Sequence, residues 1–180
     1  MSQKEMLFRC SAVGNLMSEP KLVADKKAGK LSKTAESYLN QFIFEYKYGR
    51  RQNFSTKATQ KGTQTEDDGI HVLNMVMKTR YKKNETRFNG DYLTGEPDII
   101  GKDIIIDIKS NFLASTFLTK DSIDNVYKWQ LAGYCVLCEK KKGAIAYTLN
   151  NTPLDIIKSE ITATYYKNGL VDLTDEDKAK

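Results

Sequence analysis

Apolar residues in this chain recur at two different periods, and each change of period marks a change from helix to strand. Ser11 to Met17 and Lys33 to Tyr48 read as helical. The second stretch carries Ala35, Leu39, Phe42, Ile43 and Tyr46 near a 3.6-residue repeat. Gly49-Arg50-Arg51-Gln52-Asn53 interrupts it, and Ser55 to Thr59 leads into a third helix expected from Lys61 to Tyr81, with Ile70, Leu73, Val76 and Met77 at helical spacing. The pattern then shortens to strands. A three-strand meander is expected, Thr86 to Tyr92, Glu96 to Ile100 and Ile104 to Ser110, turning at Leu93-Thr94-Gly95 and Gly101-Lys102-Asp103. Ile104-Ile105-Ile106 is apolar on both faces, which marks a central strand covered on each side. A helix from Asp121 to Glu139 follows, with Asp121 or Ser122 as its cap. A strand from Gly143 to Leu149 and a helix from Pro153 to Lys167, with proline near its first turn, complete the pattern. The charged stretch after Asp172 is expected to fray.

Charge sits where this pattern calls for apolar residues. The central strand ends in Asp107-Ile108-Lys109, and Asp107 and Lys109, two residues apart, share one of its faces. A charged pair on a buried strand needs a partner or a metal ion. Gly95-Glu96-Pro97-Asp98 precedes the neighbouring strand, so Asp98 and Asp107 are expected to face each other across a hairpin. Two carboxylates and an ammonium so placed could bind a divalent cation beside an amine, the arrangement that phosphodiester hydrolysis requires. An ordinary hairpin with a charged outer face is the simpler alternative. In the third helix Glu66 and Ile70 share a face, so Glu66 can look inward, while a solvated acidic first turn would equally explain Glu66, Asp67 and Asp68. Gln130 and Tyr134, four residues apart, present an amide and a phenol together, either toward substrate or as a buried polar pair.

Pro-Asp, a spacer and Asp-x-Lys together resemble the signature of the PD-(D/E)-x-K nuclease superfamily, which shares the restriction-endonuclease-like fold. The Gly62-x-x-x-Glu66 helix before it resembles the first motif of lambda-type exonucleases and YqaJ-type viral recombinases. Gln130-x-x-x-Tyr134 after it resembles the fourth motif of RecB-type and lambda-type nucleases. The resemblance covers 61 to 149 and implies an α/β fold with an α-β-β-β-α-β core, a central mixed sheet flanked by helices. The chain's length, with no Pro-, Gly- or Ser-rich linker to divide it, suits a single domain, so one nuclease domain is expected over 1–180: a basic helical part (1–60), a catalytic core (61–150), and a C-terminal helix and tail (151–180).

By that resemblance the chain is a DNA exonuclease dependent on Mg²⁺ or Mn²⁺, with two ions expected. Asp98 and Asp107 are the main ligands, and Glu66 and the Ile108 carbonyl complete an oxygen shell. Lys109 orients or activates the attacking water or stabilises phosphate charge, and Gln130 and Tyr134 position substrate. Phe8-Arg9-Cys10-Ser11-Ala12 looks like the Arg- and Ser-containing helix start with which lambda-type enzymes hold a terminal 5′ phosphate, which nominates Arg9 and Ser11. Many RecB-type relatives place a histidine in the first-motif helix. His71, five residues beyond Glu66, falls off that face and reads as structural or partly exposed.

Composition narrows the alternatives. Residues 1 to 65 hold 12 Lys and Arg against 5 Asp and Glu, a balance of +7, and the remainder holds 16 against 18, a balance of −2. The positive excess lies ahead of the proposed centre, where it could attract a phosphate backbone or simply face solvent. Three cysteines, an odd number, argue against a disulfide framework and for a reducing compartment. Cys135-x-x-Cys138 with Cys10 falls short of a four-cysteine cluster and reads as helix packing. No apolar run reaches the roughly 18 residues of a membrane span, and Met1 to Glu5 open no secretory signal, so a cytoplasmic protein is expected. DNA is the expected partner, a single-strand annealing protein and a homo-oligomer further ones. The competing readings are a structure-dependent endonuclease or CRISPR-adaptation-type nuclease of the same fold, and a noncatalytic nucleic-acid-binding protein.

Overall fold

The computed structural model describes residues 6–51 and 55–167. The fraying expected after Asp172, the opening Met1 to Glu5, and Gln52 and Asn53 of the helix-breaking stretch lie outside them. In chain order the elements are β1 (Phe8–Arg9), α1 (Cys10–Leu16), α2 (Val23–Lys27), α3 (Lys33–Tyr48), α4 (Lys57–Gln64) and α5 (Glu66–Met77). Four strands follow, β2 (Phe88–Asn89), β3 (Leu93–Gly95), β4 (Ile99–Ile100) and β5 (Ile104–Ser110). The order ends with α6 (Ala114–Leu118), α7 (Asn125–Leu137), β6 (Lys142–Thr148) and α8 (Leu154–Lys167). None of the described helices is long and apolar enough to cross a membrane.

The chain forms two compact units. The first draws on the described parts of Met1–Asn53, Arg80–Asp107 and Asp121–Ala146; the second on those of Phe54–Thr79, Ile108–Lys120 and Tyr147–Lys180. In the first unit α3 spans the range its periodicity predicts. Ser32 accepts a hydrogen bond from the Ala35 N–H at its start, and Gly49 ends it in the left-handed conformation at φ 63°. Phe8 stacks on Phe42 of α3 with ring centroids 4.4 Å apart. Cys10, Ile105, Leu131 and Tyr134 form the buried centre, with Leu93, Ile100, Leu137 and Ile145 packed around it. Helices α1 and α7 cross closely at Gly14, where a Cβ would lie 2.7 Å from the Cα of Val126.

The expected meander is corrected in one respect. Leu93 to Gly95 is a strand rather than a turn, pairing in parallel with β1 and antiparallel with β2, so the strands divide into two sheets, β1-β3-β2 and β4-β5-β6. The turn lies earlier, closed by the Gly90 N–H donating to the Leu93 carbonyl at 2.8 Å. Pro97, which has no N–H, ends the first ladder before β4 begins the second. In the second sheet β4 and β5 run antiparallel with Ile99 opposite Ile106 and Ile100 opposite Ile105.

In the second unit the single helix expected over 61–81 is two. Thr56 caps α4 by accepting from the Thr59 N–H at 3.1 Å, Thr65 separates α4 from α5, and Lys78 ends α5 at φ 52°. The Thr65 hydroxyl donates back to the Lys61 carbonyl at 2.8 Å, a bond that loosens a helix at threonine. Helix α7 starts later than expected: Asp124, not Asp121 or Ser122, stands at its N-cap, and its side chain makes no capping bond.

Candidate active site

The hairpin register carries the two acidic residues to one place. With Ile99 opposite Ile106, the next position outward sets Asp98 opposite Asp107. Asp107, on the central strand, is 1% exposed, and Asp98, in the bend before β4, is half-buried. Asn84 fixes that bend: its N–H donates to the Asp98 carbonyl at 2.7 Å and its side-chain amide donates to the Pro97 carbonyl at 2.9 Å.

Helix α7 supplies a support for Asp107. Gln130 and Tyr134, one turn apart and both 4% exposed, face the hairpin together. The Gln130 Nε2 donates to Asp107 Oδ1 at 2.9 Å and to the Tyr134 hydroxyl at 3.1 Å. Burial pushes the Tyr134 phenol up from its ordinary pKa, the Asp107 charge adds to the rise, and Asp98 contributes a further part, so the phenol stays protonated. Room for the ring comes from Gly95, where a Cβ would lie 2.6 Å from Tyr134 Cε1. A bulkier residue there would push the ring away from Gln130.

Beyond Asp107, strand β5 enters the second unit. Lys109 shares the Asp107 face of the strand and is half-buried, while Ile108 and Ser110 point to the opposite face. Ile108 is buried against Gly69, where a Cβ would fall 2.6 Å from Ile108 Cγ2. Of the three acids opening α5, Glu66 alone is half-buried and Asp67 and Asp68 are exposed. His71 is exposed.

The N-terminal pair is placed differently from the central one. Arg9, at the N-cap of α1, lies 3.6 Å from Glu45, and Ser11 is exposed in the first turn. The three thiols are free; Cys10 is fully buried, and burial raises its pKa to about 11. Cys135 and Cys138 are half-buried beside the first unit's core, as the helix-packing reading expects.

Among the described residues no three His, Cys, Asp or Glu side chains converge as a ready-made metal cage. The donors present are nonetheless those of a hard cation: a buried carboxylate held through Oδ1 by Gln130, and a second carboxylate across the hairpin. Magnesium commonly takes only one or two protein carboxylates and fills its shell with water and substrate oxygens, so this set fits it. The sequence left several supporting residues unread. Asn84, Lys61, Thr65 and Asn150 are polar residues whose burial or bonding is tertiary, and only the 61, 65, 69 spacing, one helical stripe, hinted at some of them.

No protein-family model and no curated protein matches the chain. Solved structures do. A phage-related exonuclease from Haemophilus somnus 129PT superposes with a TM-score of 0.74 at 29% identity, over 85% of this chain and 72% of that one. An alkaline exonuclease from Laribacter hongkongensis gives a TM-score of 0.62 at 15% identity over 84% of this chain and 73% of its own. A structure of that enzyme in complex with dAMP gives 0.62 at 17% identity, with the same coverage. At these two lower identities the likeness speaks to the fold. The chain is thus similar in fold to these exonucleases, and its G-x-x-x-E, Pro-Asp, Asp-x-Lys and Q-x-x-x-Y motifs stand in order along it.

Proposed function

We propose that this protein is a metal-dependent DNA exonuclease that hydrolyses phosphodiester bonds, digesting linear duplex 5′ to 3′ in phage-type recombination or repair. The observation that carries the reading is the Gln130 amide bonded at once to Asp107 Oδ1 and to Tyr134, because it joins the Asp-x-Lys strand to the Q-x-x-x-Y helix. A buried, oriented carboxylate is costly to keep, and a noncatalytic DNA-binding protein has no use for one. The similarity to a phage-related exonuclease supports the same reading.

In this reading Asp98 and Asp107 would hold Mg²⁺ or Mn²⁺, with Glu66, directly or through water, and the Ile108 carbonyl as further oxygen donors. Bound there, one or two ions would neutralise the phosphate, lower the pKa of a water and stabilise the leaving oxygen. The chain's own groups do the rest. Lys109, on the Asp107 face of β5, orients the attacking water or stabilises charge on the phosphate. Gln130 fixes the rotamer of Asp107, and Tyr134 holds Gln130, so both position the substrate's environment from behind the carboxylate. Arg9 and Ser11, at the start of α1, take the terminal 5′ phosphate, with Arg9 exchanging its Glu45 partner for the dianion.

The whole 180-residue chain acts as one nuclease domain, in the cytoplasm of a bacterial or phage-infected cell, with an annealing protein and further copies of itself as partners. The test is digestion of linear, covalently closed and 5′-phosphorylated duplexes with Mg²⁺, Mn²⁺ or EDTA. Release of mononucleotides from phosphorylated ends, abolished by EDTA, is expected. Efficient cutting of closed circles would instead favour the endonuclease reading.

A further inference from the structure

The most costly side chain in the second unit has no part in the mechanism above. Lys61 of α4 is 1% exposed, and among the described residues its ammonium meets a backbone carbonyl and an aromatic ring rather than a carboxylate. Its ammonium donates to the Asn111 carbonyl at 2.9 Å and lies 5.8 Å from the centre of the Phe112 ring. Burial lowers its pKa from the ordinary lysine value. One backbone carbonyl and an aromatic face repay only part of the cost of desolvating an ammonium. An apolar residue of similar length would fill the space at lower cost, so stability alone does not account for the amine.

Its surroundings suggest what does. Lys61, Thr65 and Gly69 follow one another at four-residue steps along α4, the intervening joint and α5. Each meets the end of β5 or the residue just past it. The Ile108 side chain rests on Gly69, Ser110 Oγ is bonded to Thr65 Oγ1 at 2.9 Å, and the Asn111 carbonyl takes the Lys61 bond. The Asn150 side-chain amide ties the same joint from the other side, donating to the Thr65 carbonyl at 3.0 Å, while the Asn111 N–H donates to the Thr148 carbonyl at 2.8 Å. Lys109 lies between the tied residues Ile108 and Ser110, and Glu66 directly follows the tied Thr65.

We propose that Lys61 is a positioning residue: with Thr65 and Gly69 it clamps the end of β5 so that Lys109 and Glu66 are held at a fixed separation. The proposal rests on the nuclease reading only for what Lys109 and Glu66 do; the clamp itself is a property of the second unit. A buried charge suits the task because its bond to Asn111 cannot be exchanged for water, whereas an exposed tie would be in constant competition with solvent.

The decisive variant is Lys61→Met in the full chain, which keeps the length of the side chain and removes the ammonium. Its melting temperature should equal or exceed the wild-type value, because an uncompensated buried charge is gone. Its kcat on linear duplex with Mg²⁺ should fall by about tenfold or more with KM unchanged, as displacement of reacting groups costs rate before it costs binding. The amide protons of Lys109, Ser110 and Asn111 should exchange with deuterium several-fold faster. Wild-type kcat in Lys61→Met, or a fall in kcat accompanied by an equal loss of DNA binding, would overturn the proposal. If Lys61→Met does not fold, Thr65→Val removes the second tie while keeping the branched shape, and unchanged kcat there overturns it equally. A wild-type protein that cuts no DNA would remove the nuclease reading, and the exchange rates would then decide the clamp separately: accelerated exchange in Lys61→Met supports it and unchanged exchange ends it.

Discussion

Gln130 divides its amide between Asp107 and Tyr134, and the consequences of that division can be separated by substitution. Asp107→Asn retains a side-chain oxygen for the Gln130 bond, so the variant should fold with near wild-type stability in urea while cleavage falls by roughly 10²-fold or more. Normal cleavage by that variant would remove Asp107 from the centre. Tyr134→Phe loses only the hydroxyl that accepts from Gln130 and should retain stability to about 1 kcal/mol while lowering kcat several-fold. Tyr134→Ala empties a site in the buried cluster and should cost about 3–5 kcal/mol. If Tyr134→Phe cuts as well as wild type, the ring serves packing and nothing more. Cys10 belongs to the same neighbourhood: a fully buried thiol raised to about 11 remains protonated at pH 8 and should resist alkylation there until the protein is unfolded, a difference that mass spectrometry of labelled peptides would read.

Helices and strands here meet at glycines, and the space beside each glycine predicts its tolerance. At Gly14 an added Cβ would meet the Cα of Val126 at 2.7 Å and its carbonyl oxygen at 2.9 Å. Backbone cannot swing aside as a side chain can, so Gly14→Ala should force α1 from α7 and cost about 1–3 kcal/mol. Gly62, the glycine of the first motif, lies within α4 with no atom closer than 4 Å to the position of its missing Cβ. Gly62→Ala should therefore stabilise the protein by about 0.4–1 kcal/mol, through helix propensity and a less disordered unfolded chain. Paired denaturation curves test both signs. A stable Gly62→Ala variant with reduced cleavage would mean that the motif needs glycine for the approach of substrate and not for packing.

At the scale of the whole molecule, the positive excess of residues 1 to 65 bears on which duplex ends the proposed nuclease would prefer. Arg9 stands 3.6 Å from Glu45 in an ion pair that is partly open to solvent, so a 5′ phosphate would have to compete for it. Glu45→Gln should weaken that competition and increase the preference for phosphorylated over hydroxyl ends, whereas Arg9→Ala should abolish the preference and leave basal hydrolysis of hydroxyl-ended duplex intact. Both effects should shrink as salt rises, since screening weakens a phosphate contact far more than it weakens chemistry at a buried centre. Equal digestion of the two kinds of end by the wild type would remove Arg9 and Ser11 from substrate recognition.

What was legible in the chain was what local physics dictates. The 3.6-residue repeat of α3, the apolar run of β5 and the two-residue spacing that sets Asp107 beside Lys109 follow from periods that every helix and strand obeys. The hairpin placing Asp98 opposite Asp107 followed as well, because a short turn between two apolar runs leaves one register. The split of the strands into two sheets did not, since Leu93 to Gly95 pairs not only with the nearby Phe88 and Asn89 but also with Phe8 and Arg9, more than eighty residues away. Nor did the break at Thr65, whose hydroxyl turns back to the Lys61 carbonyl and also meets Ser110 Oγ of β5. The chain named Gln130 and Tyr134 as a pair, but that the amide rests on Asp107, and that Lys61 lies buried without an acid partner among the described residues, was decided by tertiary packing. Burial and long-range hydrogen bonds are properties of what surrounds a residue, and no spacing along the sequence encodes those surroundings.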